Sequence, residues 1–234
     1  MPDEFELKTK AIIQRTYNVV SVRLTGDNMK DYKAGQFLCV SLNTEPVCQR
    51  YLSISSSPTE RGYIEFTKKL TESNFSRGLK KLKPGDTLKV RYPFGKFTLD
   101  ELTKKVAFIS GGIGITPIRS ICKYVVDNNL GTDMILVYAN RSIRDIVFKE
   151  DFNQMQKSYP KLKVAHVLCE ATPGFKCTIG LINAQIIKNE VVDYAERKFY
   201  LCGPQPMVEA IKNILNGELG IAEENIVTEN FIGY

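Results

Sequence analysis

A glycine-rich stretch at residues 110–117, with the sequence Ser-Gly-Gly-Ile-Gly-Ile-Thr-Pro, has the composition of a loop that binds phosphate. An apolar run precedes it and apolar residues at helical spacing follow it, which predicts a strand, a glycine turn and a helix. Thr116 is expected to cap that helix and Pro117 to occupy its first position, where a missing N–H costs nothing. Glycines let backbone N–H groups approach an anion closely, and the positive end of the helix dipole favours a phosphate there. The glycines of the predicted loop are Gly111, Gly112 and Gly114.

The same stretch has a second interpretation, because a glycine turn can simply pack a strand against a helix. It lacks the third glycine of Gly-x-Gly-x-x-Gly, since position 117 is proline. It also lacks the Gly-Lys-Ser/Thr ending of a loop that binds nucleoside triphosphates. From these residues alone, phosphate binding and packing geometry both stay open.

Two further segments in the first half of the chain have residue types that suit anions. Arg50 and Ser53 lie three apart in a predicted strand. Arginine offers a rigid fork of donors that suits phosphate, and a serine hydroxyl can donate a short hydrogen bond to a ring nitrogen. Ser76 and Arg77 lie where a helix can begin, which is again an anion-binding position. An edge-strand arginine and an ordinary turn explain the same residues equally well.

Composition narrows the class of protein. A chain of 234 residues with 43% apolar content can bury two moderate cores, so two domains are expected. Its apolar runs are far shorter than the roughly 20 residues of a membrane span. Residues 1–10 contain three acids and no apolar signal core, so a cytoplasmic protein is expected. The six cysteines show neither C-x-x-C nor iron–sulfur spacing, which predicts free thiols, no iron–sulfur cluster and no metal site.

The net charge of +6 is spread over lysines without interleaved aromatic residues or a basic tail. This distribution argues against a nucleic-acid partner. It suits an acidic protein or an anionic cofactor, although a solvated basic face explains the charge equally well.

Two different patterns divide the chain near residues 98–104. The first half has short β-rich segments separated by turn signals, which favours a small antiparallel barrel. In the second half apolar strands alternate with helical stretches, which favours a parallel sheet covered by helices, with ligands at the carboxyl ends of its strands. The predicted strands are 19–24, 36–42, 49–54, 63–70 and 87–92 in the first half, and 106–109, 134–139, 164–168, 199–202 and 226–231 in the second.

Six motifs occur in order along nearly the whole chain: Arg50-x-x-Ser53, Ser76-x-x-Leu79 with Pro84-Gly85-Asp86, Pro93-Phe94-Gly95, Gly111-Gly112-x-Gly114-x-Thr116-Pro117, Cys202-Gly203-Pro204 and Glu229-x-Phe231. Together they resemble the ferredoxin–NADP reductase superfamily of flavin-dependent NAD(P)H oxidoreductases. The resemblance implies an N-terminal antiparallel Greek-key, flavin-binding barrel over residues 1–101. A five-stranded parallel-sheet, nucleotide-binding α/β domain would follow over residues 102–234, with the flavin ring in the cleft between the domains.

The resemblance also implies a role for each matched residue. In the barrel, Arg50 would bind the flavin phosphates, Ser53 would hydrogen-bond the flavin N5, and Ser76 would complete the pyrophosphate site. In the second domain the glycine loop would hold the nicotinamide dinucleotide. The residues that would line this second site are Gly111, Gly112, Gly114, Thr116, Pro117, Arg141, Cys202, Gly203 and Pro204.

Three residues of the last two motifs complete the implied site. Cys202 would lie beside the nicotinamide C4, Glu229 in the hydrogen-bond network of the active site, and Phe231 against the second face of the flavin. A lone cysteine is usually a packing residue. Because Cys202 ends a predicted strand, where ligands bind, a nicotinamide contact is favoured. Hydride transfer between rings stacked at roughly 3 to 3.5 Å needs positioning and no obligatory general acid, so the single histidine, His166, is assigned a structural role.

Three aromatic or apolar positions depart from the family pattern or lie beyond it. The pattern Arg-x-Tyr-Ser has Leu52 at its third position, and the tyrosine falls at Tyr51, whose side chain should face the other side of the strand. Leu52 could therefore pack on the flavin face in place of the usual tyrosine, with weaker binding of the flavin or an altered flavin potential. Tyr234 is a second aromatic residue that could reach the ring, and a frayed terminus is its alternative interpretation.

The identity of the nucleotide stays open at this point. Arg141, Ser142 and Arg144 follow the second parallel strand, where a 2′-phosphate would be read. Asp145 in the same loop could instead accept a hydrogen bond from a 2′-hydroxyl. NADH and NADPH are thus both possible substrates, whereas FAD rather than FMN follows from the resemblance.

The implied activity passes electrons onward to an acceptor outside this chain. A separate ferredoxin, flavodoxin or oxygenase component would serve, and the positive net charge suits an acidic carrier. The alternatives are a reductase of free flavin and a flavin-binding electron-transfer subunit of a larger complex. No feature of the sequence predicts an oligomeric state.

Overall fold

Two six-stranded sheets, one antiparallel and one parallel, form the two halves of the chain. They are seen in a computed structural model that describes residues 2–27, 29–42, 47–100 and 102–231, with side chains through residue 229. Within those ranges no helix is long and apolar enough to cross a bilayer.

The antiparallel sheet closes into the predicted barrel. Its strand order is β4-β3-β6-β1-β2-β5, and a bridge between Ile54 and Phe66 joins the two outer strands. Leu38 and Val40 are fully buried inside, and the helix α1 covers one end of the same core with Phe75. The elements are β1 (Asp3–Thr16), β2 (Val19–Thr25), β3 (Phe37–Leu42), β4 (Cys48–Ser53), β5 (Ile64–Lys69), α1 (Asn74–Lys81) and β6 (Thr87–Phe94).

Strand β1 is absent from the strands that the sequence predicts. Residues 4, 6, 8 and 10 are all charged, so the segment has no apolar run. It is a strand because it pairs along its whole length, first with β6 and then with β2. Pairing to two neighbours therefore outweighs the weak local signal.

The parallel sheet has the order β10-β9-β8-β7-β11-β12. The five predicted strands are all present, but the sheet has six, because Thr178–Ile179 adds a short edge strand. Two residues are too few to produce a periodic pattern, so the predicted count of five was wrong by this strand. The elements are β7 (Lys105–Gly111), α2 (Ile115–Asp127), β8 (Asp133–Asn140), α3 (Lys149–Ser158), β9 (Leu162–Leu168), β10 (Thr178–Ile179), α4 (Ala184–Glu190), β11 (Lys198–Pro204), α5 (Gln205–Asn213) and β12 (Ile226–Phe231).

The glycine loop joins a strand to a helix as predicted, but the start of the helix differs. Residues 112–114 form a 3-10 turn and α2 begins at Ile115, so Thr116 and Pro117 are its second and third residues. The Thr116 hydroxyl donates to the carbonyl of Ile113 at 3.1 Å and does not cap the helix. The predicted cap was wrong because the glycine turn starts helical hydrogen bonding before the threonine is reached.

The barrel packs against one face of the parallel sheet. Helices α2 and α3 cover that face, while α4 and α5 cover the other. Three barrel-side residues, Val19, Ala34 and Phe97, belong to the same buried cluster as Phe108 and Ile118 of the second half. The two halves therefore share a core, and the cleft between them lies beside the carboxyl ends of β7, β11 and β12.

Candidate functional site

Three polar side chains line up across neighbouring strands at this edge of the parallel sheet. Ser110 of β7 pairs in register with Cys202 of β11, which pairs in register with Glu229 of β12. From the barrel, the Ser53 hydroxyl donates to Glu229 Oε2 at 3.4 Å. The fold thus brings Ser53, Cys202 and Glu229, the three predicted catalytic residues, to one place between the domains.

Burial determines the protonation of this cluster. It raises the pKa of the Cys202 thiol well above its usual value, so the thiol is neutral and is not a nucleophile. Burial also raises the pKa of Glu229 from 4.5 to about 7, against the opposing effect of the hydrogen bond from Ser53. At neutral pH, Glu229 can therefore both hold and release a proton.

The raised pKa of Glu229 predicts a pH-dependent loss of stability. A carboxyl that titrates near 7 when folded and near 4.5 when unfolded stabilises the fold below 4.5, and this stability is lost as pH rises through 7. Glu229→Gln should match the wild type at about pH 4 and exceed it at about pH 8 by on the order of 3 kcal/mol of unfolding free energy. Urea denaturation at the two pH values measures this difference. Equal stability of the two proteins at both pH values would contradict the shift.

A second set of charges surrounds the predicted flavin-phosphate site. Lys68 is 6% exposed, and burial, followed by the nearby charges of Arg50 and Lys69, lowers its pKa to about 8. Arg50 itself is exposed, and its guanidinium donates to the carbonyl of Gln49 at 2.7 Å. Because Arg50 and Lys69 add to the positive charge around Lys68, an anion would be stabilising at this place.

Ser76 lies in the first turn of α1, as predicted, but its hydroxyl is fully buried. That hydroxyl accepts from the backbone of Thr71 at 3.0 Å, and the Ser76 amide donates to the N-cap residue Ser73 at 3.3 Å. The structure therefore places Ser76 at the helix start in a role that orders the turn. Any contact of its hydroxyl with a phosphate stays a prediction.

The aromatic residues beside Ser53 differ from the expected arrangement. Leu52 is 5% exposed and lies in the barrel core, so it does not share the face of Ser53. Tyr51 is 59% exposed and packs edge-on against Phe37 and Phe94, with ring centroids at 5.8 and 5.6 Å. Because Phe37 pairs in register with Ser53, this exposed aromatic cluster lies on the Ser53 side of the strand. Alternation along β4 thus turns Leu52 inward, and the expectation that it offers a surface there was wrong.

A cavity of about 890 Å³ opens at the carboxyl ends of the parallel strands. This is the position predicted for a nucleotide, and four of the nine residues predicted to line the site do so, namely Gly111, Gly112, Arg141 and Pro204. The other five do not line this cavity, so their contacts with a nucleotide stay predictions; they are Gly114, Thr116, Pro117, Cys202 and Gly203.

The wall of the cavity also includes residues outside that set. Barrel residues contribute to it, which the sequence did not indicate because they are distant along the chain. The additional lining residues include Tyr17, Lys69, Asn140, Asp145, Cys169 and Met207.

The glycines of the loop serve two purposes, one for each interpretation left open above. A Cβ at Gly114 would lie 2.3 Å from the carbonyl oxygen of Cys202 and 2.6 Å from the Cα of Gly203, so this glycine permits close packing of the loop on β11. Gly112 has a φ of +53° and lines the cavity, and within the described part of the chain no atom beyond its chain neighbours lies within 4 Å of such a Cβ. The Tyr138 hydroxyl donates to the Gly112 carbonyl at 3.0 Å, which holds the loop in place.

A fixed negative charge stands at the mouth of the cavity. Asp145 Oδ1 accepts from the Tyr17 hydroxyl at 2.8 Å, and Oδ2 accepts from the Ser142 hydroxyl at 2.8 Å. Burial opposes the charge, but the hydrogen bonds from Ser142 and Tyr17 outweigh it and hold the pKa of Asp145 below its usual value. Arg144 lies over the Tyr17 ring at 5.5 Å, while Arg141 lines the cavity.

The remaining predicted residues are placed as follows. Tyr234 and the side chain of Phe231 lie outside the described residues, so their contacts with a ring stay predictions. His166 packs 5.2 Å from Phe175, and burial together with Lys149 lowers its pKa to about 4, so it is neutral. Among the described side chains, no group of three or more His, Cys, Asp or Glu residues could hold a metal ion.

Comparison with known proteins agrees with this geometry. The family model described as an oxidoreductase FAD-binding domain matches residues 4–99, and that described as an oxidoreductase NAD-binding domain matches residues 108–213. The glycine betaine monooxygenase reductase subunit of Pseudomonas aeruginosa is 32% identical over 219 residues, covering 88% of this chain. This chain spans 58% of that relative's length. The NADH-cytochrome b5 reductase 1 of Aspergillus terreus is 32% identical, over 90% of this chain and 77% of the relative.

Two solved structures have the same architecture. The ferredoxin reductase in carbazole 1,9a-dioxygenase superposes with a TM-score of 0.85 at 27% identity, covering 99% of this chain and 70% of its own. The cytochrome b5 reductase domain of Ulva prolifera nitrate reductase superposes with a TM-score of 0.86 at 22% identity, covering 97% of both chains. The second similarity concerns the fold alone.

Proposed function

The chain belongs to the ferredoxin–NADP reductase superfamily of flavin-dependent oxidoreductases, and we propose that it is an FAD-dependent NAD(P)H oxidoreductase that passes electrons to a separate acceptor protein. The observation that carries this proposal is the meeting of Ser53 of the barrel with Cys202 and Glu229 near the carboxyl ends of β11 and β12, at the edge of the sheet where the nucleotide cavity opens. A hydride donor bound at one side and an acceptor ring at the other would meet at these residues.

The residues of the barrel fit an FAD molecule. Arg50 and Lys68 would bind its phosphates, since they form a cationic cluster near the start of α1. The exposed ring of Tyr51, packed against Phe37 and Phe94, would provide an aromatic surface for the isoalloxazine. When bound, FAD would supply the ability to take two electrons as hydride and release them singly.

The chain's own residues would orient the reaction and control protons. The Ser53 hydroxyl, 3% exposed, would donate to the ring nitrogen that receives hydride. Glu229 would hold or release a proton next to Ser53, because burial raises its pKa to about 7. The neutral Cys202 thiol, fully buried beside Glu229, would keep water away from that carboxyl, and its contact with the nicotinamide stays a prediction.

NADH is the favoured nucleotide. The charge of Asp145 at the cavity mouth would repel a 2′-phosphate and accept from a 2′-hydroxyl. Several relatives are named NADH-cytochrome b5 reductases, which supports the same choice.

Asp145→Asn should shift the preference toward NADPH. Removal of the negative charge is expected to raise kcat/KM for NADPH by about tenfold. The reason is that repulsion between the Asp145 carboxylate and a neighbouring 2′-phosphate would cost over about 1 kcal/mol. The NADPH-to-NADH ratio of kcat/KM measures the effect. Arg141→Gln is the matched control from the same rim, and it should leave the ratio unchanged or lower it. An unchanged ratio in Asp145→Asn would show that Asp145 does not discriminate between the nucleotides.

The acceptor is proposed to be an acidic carrier protein or an oxygenase component. Two similar proteins are named as a glycine betaine monooxygenase reductase subunit and as a ferredoxin reductase in carbazole 1,9a-dioxygenase. Each of these names includes the oxygenase to which the reductase belongs. The net charge of +6 favours an acidic partner. All six cysteines are free thiols, which suits the cytoplasmic location proposed for the chain.

One experiment tests the proposed function directly. The purified protein, loaded with FAD, is titrated with NADH without oxygen while its visible spectrum is followed. Bleaching of the flavin absorbance by stoichiometric NADH is the expected result. A protein that binds neither FAD nor FMN would overturn the proposal, and a colourless protein that turns over only with added flavin would indicate a reductase of free flavin instead.

A further inference from the structure

A buried group of charged residues connects the barrel to α2 on the far side of the cleft. Arg119 of α2 has a side chain that is only 5% exposed. Its guanidinium donates to Asp151 Oδ2 at 2.7 Å, to Glu60 Oε1 at 3.1 Å and to the backbone carbonyl of Ser55 at 3.0 Å. Glu60 and Ser55 belong to the barrel, whereas Asp151 belongs to α3. We call Arg15, Glu60, Arg119 and Asp151 the interdomain ion network.

Other contacts reinforce the same junction. Arg15 of β1 lies 4.0 Å from Asp151 and pairs with Glu65 of the barrel at 3.0 Å. The Phe148 ring lies between two arginines, 4.9 Å from Arg15 and 5.5 Å from Arg119. Every charge of the network therefore has an opposite charge as partner, and the junction is polar, buried and satisfied.

The network connects the two segments that would carry the reacting rings. Ser55 follows Ser53 by two residues, so a shift of the loop at residues 55–60 moves the hydroxyl that faces Glu229. Arg119 follows Gly114 by five residues along α2, so a shift of this helix moves the glycine loop. Ser120, next to Arg119, also donates to the Ser56 carbonyl at 2.6 Å. The junction thus joins the segment that follows Ser53 to the helix that follows the glycine loop.

We infer that Arg119 is a positioning residue, which sets the separation of the two ring-binding surfaces by holding the loop at residues 55–60 against α2. The inference rests on the proposed function, because it concerns the geometry of hydride transfer. Arg119 does not line the nucleotide cavity, so its effect on the reaction passes through the segments it joins. A displacement of about 1 Å between reacting groups can cost on the order of 10²-fold in rate.

The test compares Arg119→Lys with a matched control, Arg23→Gln. Lysine keeps the charge but cannot reach Glu60, Asp151 and the Ser55 carbonyl together, because it lacks the planar fork of donors. Arg23 pairs at 2.8 Å with Glu65 and lies 4.3 Å from the centre of the Tyr63 ring, and both of these partners belong to the barrel. Both variants therefore lose an arginine–glutamate pair, but only one loses the link between the domains.

Two measurements are made on each protein. The first is hydrogen–deuterium exchange of residues 55–60 and of α2, which needs no cofactor. The second is the single-turnover rate of flavin reduction by NADH and by NADH deuterated at the transferred position. For Arg119→Lys we expect faster exchange in both segments, a rate lower by at least about tenfold, and an unchanged Kd for NADH. Arg23→Gln should match the wild type in hydrogen–deuterium exchange, in the rate of flavin reduction and in the Kd for NADH.

The results distinguish a failure of the inference about Arg119 from a failure of the proposed function. An Arg119→Lys protein with faster exchange but wild-type rate and isotope effect would overturn the inference and leave the proposed function intact. Wild-type protein that NADH does not reduce would overturn both. If Arg119→Lys does not fold, Ser120→Ala serves instead, since it removes a single hydrogen bond of the same junction; a wild-type rate together with increased exchange would again overturn the inference.

Discussion

Replacement of Gly114 by alanine is expected to abolish reduction of the bound flavin by NADH while the barrel stays folded. The added Cβ would lie 2.3 Å from the Cys202 carbonyl oxygen and 2.6 Å from the Gly203 Cα, both backbone atoms that cannot turn aside. The loop and the end of β11 must therefore separate, which displaces both walls of the nucleotide site. We expect kcat/KM for NADH to fall by more than about 10²-fold, with an overpacking cost of about 1 to 3 kcal/mol.

Steady-state kinetics and flavin content measure this effect together. The flavin content should be that of the wild type, because Gly114 lies outside the barrel. Gly217→Ala is the matched control: apart from its chain neighbours and its own helix backbone, no atom of the described residues lies within 4 Å of the added Cβ, so activity should be unchanged. A Gly114→Ala protein with normal kcat/KM would show that the close contact with β11 can relax without harm to the site.

Ser53→Ala is expected to slow flavin reduction by about 10²-fold, the usual cost of removing one hydrogen-bond donor aimed at a site of developing charge. The hydroxyl is 3% exposed and points at Glu229 from the end of β4. Its loss should also raise the pKa of Glu229 further, since the hydrogen bond from Ser53 lowers that pKa. Stability should change little, because the bond is long, at 3.4 Å.

Stopped-flow reduction across a range of pH measures both effects. Ser53→Thr keeps a hydroxyl at the same position and should recover most of the lost rate. If Ser53→Ala and Ser53→Thr are equally slow, the loss reflects packing in the cleft and not the missing donor. A wild-type rate in Ser53→Ala would remove the serine from the mechanism.

The protonation of Glu229 is expected to affect both the stability of the protein and the rate of flavin reduction. The same carboxyl that destabilises the protein as pH rises through 7 lies next to the hydroxyl that would face the ring. A buried carboxyl group whose pKa lies near 7 destabilises the folded protein when it is charged, and such groups are common at functional sites. Its position between Ser53 and Cys202 therefore agrees with a role in handling protons, whereas a purely structural acid would be paired with a cation.

Much of the fold follows from local patterns. The apolar runs of β7, β8 and β11 are buried on both faces of the parallel sheet, and those of β9 and β12 are short stretches rich in β-branched residues, so each one is visible without its neighbours. The glycine loop, the strand before it and the helix after it are likewise visible, since glycine and helical periodicity act over a few residues. The sequence does not predict the polar strand β1 or the two-residue strand β10. Both form by pairing with strands that local sequence patterns do not reveal.

The site follows from sequence only in part. Arg50, Ser53, the glycine loop, Cys202 and Glu229 are recognisable because residue type and spacing identify them within a family pattern. Tyr17 and Lys69 line the nucleotide cavity although they belong to the barrel, and Arg119 meets Glu60 across the junction. No local signal marks these residues, since their partners lie more than 50 positions away.

The sequence by itself determined the two-domain plan, the glycine loop and the family, because these depend on periodicity and on motifs of a few residues. Only the tertiary structure decided which side chains meet. Alternation along β4 and its pairing with β3 turned Leu52 into the core and Tyr51 outward. Packing of the two halves brought Ser53 of the barrel against Glu229 of β12, and burial at this place raised the pKa of Glu229. Contacts and protonation of this kind depend on distances between segments that are remote in the chain, and those distances exist only after the core has formed.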